Sequence, residues 1–175
     1  LLCGTHTPGD PATAERMFRD GEANTPLRHN CSGKHTGMLA QALLYGDPTA
    51  AYIDPVHPVQ QRILRAFSDL TGVPLPEITL GIDGCSAPVF AVPMRAAARA
   101  FALLADPSPL PEPRRSALRL VFKAMTTHPD MVSGPDTFDT DLMSACHGRV
   151  LTKGGAEGYQ ALAVMAGARG EGSPA

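Results

Sequence analysis

The sequence has no apolar stretch of the roughly 20 residues that a membrane-spanning helix needs. Residues 1–4 also lack the layout of a secretory signal, so nothing in the sequence indicates export or anchoring. An excess of either charge is missing too, since 15 Lys and Arg offset 17 Asp and Glu for a formal net charge of −2. Nucleic acids and anionic membranes select basic surfaces, so this balance argues against both and favours a small-molecule partner.

Cysteine is scarce, with four residues at irregular spacing among 175. A secreted disulfide scaffold would have more, so the sequence predicts a cytoplasmic protein whose thiols are reduced and available for metal binding or catalysis. Hydrophobic residues make up 43% of the chain, enough for one compact globular domain or most of one. The chain starts without Met in a segment typical of a domain interior and stops soon after a strand-like run, so we expect a fragment of a longer protein.

Apolar periodicity predicts several helices and strands. Helices are expected at 12–19, from Gly33 to about Leu43, and at 59–70, 93–105, 118–125 and 141–145. The alternation of Ile78, Leu80 and Ile82 predicts a half-buried strand, and 149–153 is predicted to form a hairpin with 159–165. Helices and strands interleave without a repeat, which predicts a mixed α/β (α+β) fold.

Cys31 and Lys34 fall at the predicted start of a helix, where Asn30 or Ser32 is expected to cap the first amides. The helix dipole and a nearby ammonium both favour a thiolate at such a position. Cys85 offers a second thiolate after the predicted strand, and two thiolates make a soft site for Zn²⁺. On spacing alone, two buried structural cysteines and a surface lysine explain the pattern as well.

Four further side chains are candidates for chemistry. Asn30 is a substrate contact or a helix cap, and His35 is a proton relay, a ligand or a polar cap. Asp83 follows a strand and could orient a lysine or hold an α-amino group. Lys153 precedes two glycines at a strand end, similar to the Lys-Thr-Gly strand of penicillin-recognising serine enzymes. No Ser-x-x-Lys sequence occurs in the chain, so the usual nucleophile of that chemistry is missing.

Taken together, six segments resemble the ordered landmarks of the bacterial L-asparaginase II family, the type known from rhizobia. They contain Cys-Gly-Thr-His, His-Asn-Cys-Ser-Gly-Lys-His, Tyr-Ile-Asp-Pro-Val-His-Pro, Gly-Ile-Asp-Gly-Cys, His-Pro-Asp-Met-Val-Ser-Gly and Lys-Gly-Gly-Ala-Glu-Gly. Their positions are 3–8, 29–35, 52–60, 81–85, 128–134 and 153–158. Any one of them could arise by chance, but six in order form a specific signal over nearly the whole chain.

The resemblance implies a fold similar to serine β-lactamases and glutaminases, incomplete here, with residues 1–175 as a single partial domain. It implies hydrolysis of L-asparagine to L-aspartate and ammonia by a protein that is a homodimer when intact. Cys31, Lys34 and Cys85 would be zinc ligands, which requires Lys34 to bind as a neutral amine. His35 and Asp83 would lie beside the metal and shape the substrate pocket, with Asn30 as a substrate contact. Lys153 would partner the catalytic serine.

In this family the nucleophilic serine precedes the Cys-Gly-x-His segment with which our chain opens, and further strands follow its end. We therefore expect the chain alone to be inactive. Three alternatives stay open: a related serine-lysine amidase acting on glutamine, a peptide or a β-lactam; a non-catalytic protein that binds zinc or a small molecule; and a redox protein with a Cys31–Cys85 disulfide.

Overall fold

A computed structural model describes residues 1–172, so part of the C-terminal tail that suggested a fragment lies outside the described residues. The chain forms two compact units, Leu1–Val92 and Pro93–Ala175. The assignment of residues 1–175 to one partial domain stays a prediction. No helix within residues 1–172 is long and apolar enough to cross a membrane.

The first unit contains three helices and one hairpin. The helices are α1 (Pro11–Asp20), α2 (Ser32–Tyr45) and α3 (Pro58–Thr71), and the antiparallel strands are β1 (Thr79–Ile82) and β2 (Pro88–Ala91). Helices α2 and α3 end where Gly46 and Gly72 adopt φ values of 70° and 73°, a left-handed conformation that glycine accepts without strain. These three helices confirm the predictions from periodicity.

The core of the first unit joins the α2 and α3 helices to the turn after β1. It is formed by seven buried residues: Cys3, Met38, Ala42, Tyr52, Val59, Cys85 and Ala87. The packing of Cys85 against α2 residues brings the β1–β2 turn next to the helix that starts after Cys31.

Over residues 93–172, the second unit contains four α-helices and a second hairpin. The elements are α4 (Met94–Ala105), α5 (Arg114–Thr127), α6 (Pro129–Ser133), α7 (Phe138–Ala145), β3 (Val150–Gly154) and β4 (Gln160–Val164). The two strands pair antiparallel with Lys153 opposite Ala161. Its core contains Ala105, Phe122, Met143, Leu151 and Ala163.

The mixed α/β (α+β) class is confirmed, with corrections at the level of single elements. Strand β2 and helix α6 were not predicted. The sequence also indicated a loop at 133–140 before a helix at 141–145, whereas α7 already begins at Phe138. The strand predicted from Ile78, Leu80 and Ile82 is present as β1, but its predicted half-buried character is wrong, because Leu80 and Ile82 are 44% and 62% exposed. In the described residues β1 pairs only with β2, and this two-stranded sheet buries no face along β1.

Candidate active site

The first part of the site is the turn that leads into α2. Cys31 occupies the N-cap position, and Lys34 lies in the first turn of the helix. The prediction that Asn30 or Ser32 caps this helix is wrong, since no side-chain cap bond forms at its described start. Instead, the Nδ1 atom of His29 accepts a hydrogen bond of 2.9 Å from the backbone N–H of Cys31. The backbone at residue 31 is therefore held by a histidine two residues earlier.

The second part is the turn between β1 and β2. The Oδ1 atom of Asp83 accepts a hydrogen bond of 2.6 Å from the backbone N–H of Cys85, and the backbone N–H of Asp83 donates to the Ala87 carbonyl at 3.0 Å. An aspartate that bonds the amide two residues on makes a compact turn. This turn holds the Cys85 side chain in the core and leaves the other carboxylate oxygen of Asp83 free to reach outward.

The Oδ2 atom of Asp83 connects the β1–β2 turn to the start of α2. The Nζ atom of Lys34 donates to Oδ2 of Asp83 over 2.8 Å, across 49 residues of sequence. Burial opposes ionisation of the Asp83 carboxyl, but hydrogen bonds from Cys85 and Lys34 outweigh it and lower its pKa to about 2. Burial also opposes the charge on Lys34, yet its bonds to Asp83 and Cys85 raise its pKa. With Asp83 ionised and Lys34 protonated, the two residues form an ion pair.

The two thiols meet at the same place. The Cys31 thiol and the Lys34 amine both lie close enough to the Cys85 thiol for it to shift their pKa values. Burial raises the pKa of the Cys31 thiol, and the neighbouring Cys85 adds to the effect while Lys34 opposes it. Both cysteines are free thiols. Residues from α2 and from the β1–β2 turn thus form a cluster of two sulfurs, one amine and one carboxylate.

His35 lies behind this cluster, inside the core. Its side chain is fully buried, with Nε2 at 3.1 Å from the sulfur of Cys85 and Nδ1 at 2.7 Å from the hydroxyl of Tyr52. Burial lowers the pKa of His35, and the adjacent Lys34 lowers it further. The imidazole is therefore held neutral.

Asn30 lies on the exposed side of the turn. Its Oδ1 atom is 2.9 Å from Nε2 of His6, whose Nδ1 atom is 2.6 Å from the carbonyl oxygen of Thr7. These two bonds, led by the one to Asn30, raise the pKa of His6 because both ring nitrogens face acceptors. The His6 ring also packs edge-on against His29, at 4.4 Å between centroids.

Lys153 belongs to the second compact unit, so it is described apart from the cluster. Its side chain leaves the exposed side of β3, and its Nζ atom donates to the backbone carbonyl of Gly154. On the other side of the strand, Thr152 is fully buried.

A buried carboxylate binds the residues on both sides of Lys153. Asp139, 4% exposed, accepts hydrogen bonds from the backbone N–H of Gly154 at 2.7 Å and from Oγ1 of Thr152 at 3.1 Å. The Nε2 atom of Gln160 adds a third bond at 2.7 Å. Burial opposes ionisation of Asp139, but the bonds from Gly154, Gln160 and Thr152 together lower its pKa. The end of β3 is thereby tied to α7.

Comparison with known proteins identifies the family of this chain. A sequence model of the family described as L-asparaginase II matches residues 1–172. The chain belongs to the L-asparaginase II family. No curated protein gave a significant match to it. Membership supports, at the level of the family, an amidohydrolase that acts on a small-molecule substrate.

The L-asparaginase II resemblance implies zinc, and the donor chemistry of the cluster can be tested for it. Residues 1–172 contain no group of three or more His, Cys, Asp or Glu side chains in a metal-binding arrangement. Two thiols and one amine do converge, however, and sulfur and nitrogen are the donors that Zn²⁺ prefers. The set fits zinc once both thiols and Lys34 release their protons.

Sequence reasoning missed Tyr52, which supports the cluster of the first unit, and Asp139, which supports the strand end at Lys153 in the second. Tyr52 lies in the family-like segment 52–60, but the sequence does not reveal that its hydroxyl reaches His35. For Asp139 a signal existed in the two glycines after Lys153. A Cβ atom on Gly154 would lie 3.3 Å from the Asp139 carboxylate, and one on Gly155 would lie 3.1 Å from the Tyr159 ring. These glycines allow close packing at the strand end.

Proposed function

We propose that the protein to which this chain belongs hydrolyses L-asparagine to L-aspartate and ammonia. The observation that carries the proposal is the convergence of Cys31, Lys34, Asp83 and Cys85 in a chain of the L-asparaginase II family. A carboxylate beside a soft metal site suits a small zwitterionic substrate, because the carboxylate can accept its ammonium group. The alternative amides, glutamine, a peptide or a β-lactam, are separated by the assay below.

In this proposal Cys31, Lys34 and Cys85 hold a zinc ion. When bound, the ion supplies a fixed positive charge that helps to position the substrate. Asp83 is the acceptor for the substrate's α-ammonium group, because its Oδ2 atom faces outward from the turn and the backbone hydrogen bond from Cys85, which does not depend on Lys34, also lowers its pKa. Asn30, on the exposed side of the same turn, is proposed as a further polar contact to the substrate.

The chemical step is assigned to a serine activated by Lys153. The serine hydroxyl attacks the side-chain amide carbon, its proton passes to the lysine amine and then to the leaving nitrogen, and ammonia departs. Water then hydrolyses the ester to give L-aspartate and regenerate the serine. No serine of this chain stands in a Ser-x-x-Lys sequence, so the nucleophile is proposed to lie in a part of the protein outside it.

The test is ammonia release from L-asparagine by the full-length protein, with and without added zinc. We expect turnover in the wild type and its loss, by at least about 100-fold, in Lys153→Ala, because general-base catalysis typically contributes 10²–10⁴-fold. Lys123→Ala removes an exposed lysine from α5 and is the matched control, which should retain activity. No ammonia from L-asparagine at any zinc concentration would refute the proposal. Faster turnover of L-glutamine, a peptide or a β-lactam would reassign the substrate.

A further inference from the structure

Three polar side chains of the first unit form a line of hydrogen bonds inside the core. Tyr52, His35 and Cys85 are 1%, 0% and 2% exposed. The Tyr52 hydroxyl is 2.7 Å from Nδ1 of His35, and Nε2 of His35 is 3.1 Å from the sulfur of Cys85. Buried polar groups cost free energy unless they are hydrogen-bonded. Each of these two contacts therefore needs one hydrogen, donated by one of its two atoms.

The donor and acceptor roles along this line follow from the bonds of its first member, Tyr52. The backbone N–H of Leu2 donates to the Tyr52 oxygen at 2.7 Å, which leaves the phenolic proton free to point at His35. A neutral imidazole carries one proton. If Tyr52 donates to Nδ1, the imidazole proton lies on Nε2 and is donated to Cys85. A thiolate has no proton to give, so only this arrangement satisfies all three groups when Cys85 is ionised as a metal ligand.

The surroundings hold Tyr52 in this orientation. The Nε2 atom of Gln60, a buried residue of α3, donates to the backbone carbonyl of Tyr52 at 2.8 Å. The Tyr52 and His35 rings meet edge to face, with centroids 5.6 Å apart and an interplanar angle of 82°. The backbone of Tyr52 is thus held by Gln60 and its ring packs against His35, with the hydroxyl next to Nδ1.

We propose that Tyr52 is a positioning residue for the zinc site, which keeps the His35 proton on Nε2 so that His35 donates a hydrogen bond to the Cys85 thiolate. The inference rests on the proposed zinc site and gives His35 a supporting role in place of a direct contact with substrate. Partners behind metal ligands orient them and tune their basicity, and their loss typically costs 10–100-fold in metal affinity.

The first experiment measures zinc affinity of the full-length protein by competition with a chromophoric chelator. Tyr52→Phe should bind zinc about 10–100-fold more weakly than the wild type. Tyr159→Phe removes the same hydroxyl from a half-exposed tyrosine of the other unit and should leave the affinity unchanged. Tight binding of one zinc by Tyr52→Phe, equal to the wild type, would overturn the inference. Failure to hydrolyse asparagine with zinc binding intact would count against the proposed function alone.

A double-mutant cycle separates positioning from a general loss of packing. His35→Gln replaces the imidazole by an amide that can donate to Cys85 without help from Tyr52. In that background, Tyr52→Phe should cost less than about threefold in zinc affinity. An undiminished loss there would mean that Tyr52 acts through the fold and would overturn the inference.

A measurement on the unaltered protein guards against a variant that fails to fold. Long-range ¹H–¹⁵N correlation spectra report which imidazole nitrogen is protonated, and the His35 signals are those missing from His35→Gln. We expect the proton of His35 on Nε2 in the zinc-loaded wild type. A proton on Nδ1, or direct coordination of zinc by His35, would overturn the inference.

Discussion

The carboxylate of Asp139 accepts a 2.7 Å hydrogen bond from the backbone N–H of Gly154, the residue that follows Lys153. The same carboxylate bonds Thr152, the residue before Lys153. A catalytic lysine must be held within a few tenths of an ångström to act on a neighbouring group. Asp139 is therefore the residue through which α7 fixes the backbone at the proposed catalytic lysine.

The first prediction concerns removal of this charge. Asp139→Asn places an amide donor opposite either the Gly154 N–H or the Thr152 and Gln160 donors, so at least one buried bond is lost. Bonds to a charged acceptor contribute about 1.5–3 kcal/mol each. We expect the free energy of unfolding at pH 7 to fall by about 2–3 kcal/mol in urea denaturation. Asp141→Asn, an exposed site on the same helix, should change it by less than about 0.5 kcal/mol.

The second prediction concerns the pH dependence of this contribution. The folded pKa of Asp139 is lowered, so its contribution to stability is complete above the unfolded pKa of about 3.9 and is lost as pH falls through the lower folded value. The stability gap between wild type and Asp139→Asn should therefore be constant from pH 7 to 5 and shrink below about pH 4. A gap that widens on acidification would contradict this assignment.

The third prediction compares two glycines. A Cβ atom on Gly155 would lie 3.1 Å from Cδ1 and 3.3 Å from Cβ of Tyr159, whereas one on Gly37, inside α2, would meet nothing within 4 Å. Gly155→Ala should destabilise the protein by about 1–3 kcal/mol through overpacking. Gly37→Ala should stabilise it by about 0.5–1 kcal/mol, since alanine favours the helix. Thermal unfolding of both variants checks the pair, and shifts of the same sign would contradict the packing argument.

Local patterns predicted much of the fold. Helices α2 and α3 were found because apolar periodicity ends at Gly46 and Gly72, which are also the observed left-handed caps. Strand β2 was missed because it is only four residues long and opens with Pro88, which reads as turn punctuation. The alternation in β1 indicated a strand correctly, but burial depends on what covers a sheet, and periodicity contains no such information.

The candidate site, like the fold, was predictable from the sequence only in part. Family resemblance named Cys31, Lys34 and Cys85 together, and in the structure Cys85 lies near enough to both to shift their pKa values. Their role as zinc ligands stays a prediction. The bond between His35 and Tyr52 was not predictable, because it depends on which way two core side chains point after packing. Spacing along the chain constrains neighbours on one helix, whereas contacts across the core require the tertiary structure.

The fourth prediction concerns Gln60 and its neighbour Gln61. Gln60 is buried and donates to the Tyr52 carbonyl, while Gln61 is less buried and donates to the Pro55 carbonyl, both at 2.8 Å. Gln60→Ala leaves a buried carbonyl unpaired and opens space in the core, so we expect a loss of about 2–4 kcal/mol. Gln61→Ala should cost about 1 kcal/mol or less, because water can replace the lost donor. Urea denaturation measures both, and equal losses would contradict the difference in burial.

The last prediction concerns stabilisation by zinc. A ligand that binds only the folded state stabilises it by RT ln(1 + [L]/Kd), or about 2.7 kcal/mol at a free concentration 100 times Kd. Added zinc should raise the unfolding temperature of the wild type, and a chelator should reverse the shift. Cys85→Ser and Cys31→Ser should abolish it, because each removes a thiolate donor, whereas Cys146→Ser, in the other unit, should keep it. A zinc-induced shift that survives in both Cys31→Ser and Cys85→Ser would place the metal elsewhere in the protein.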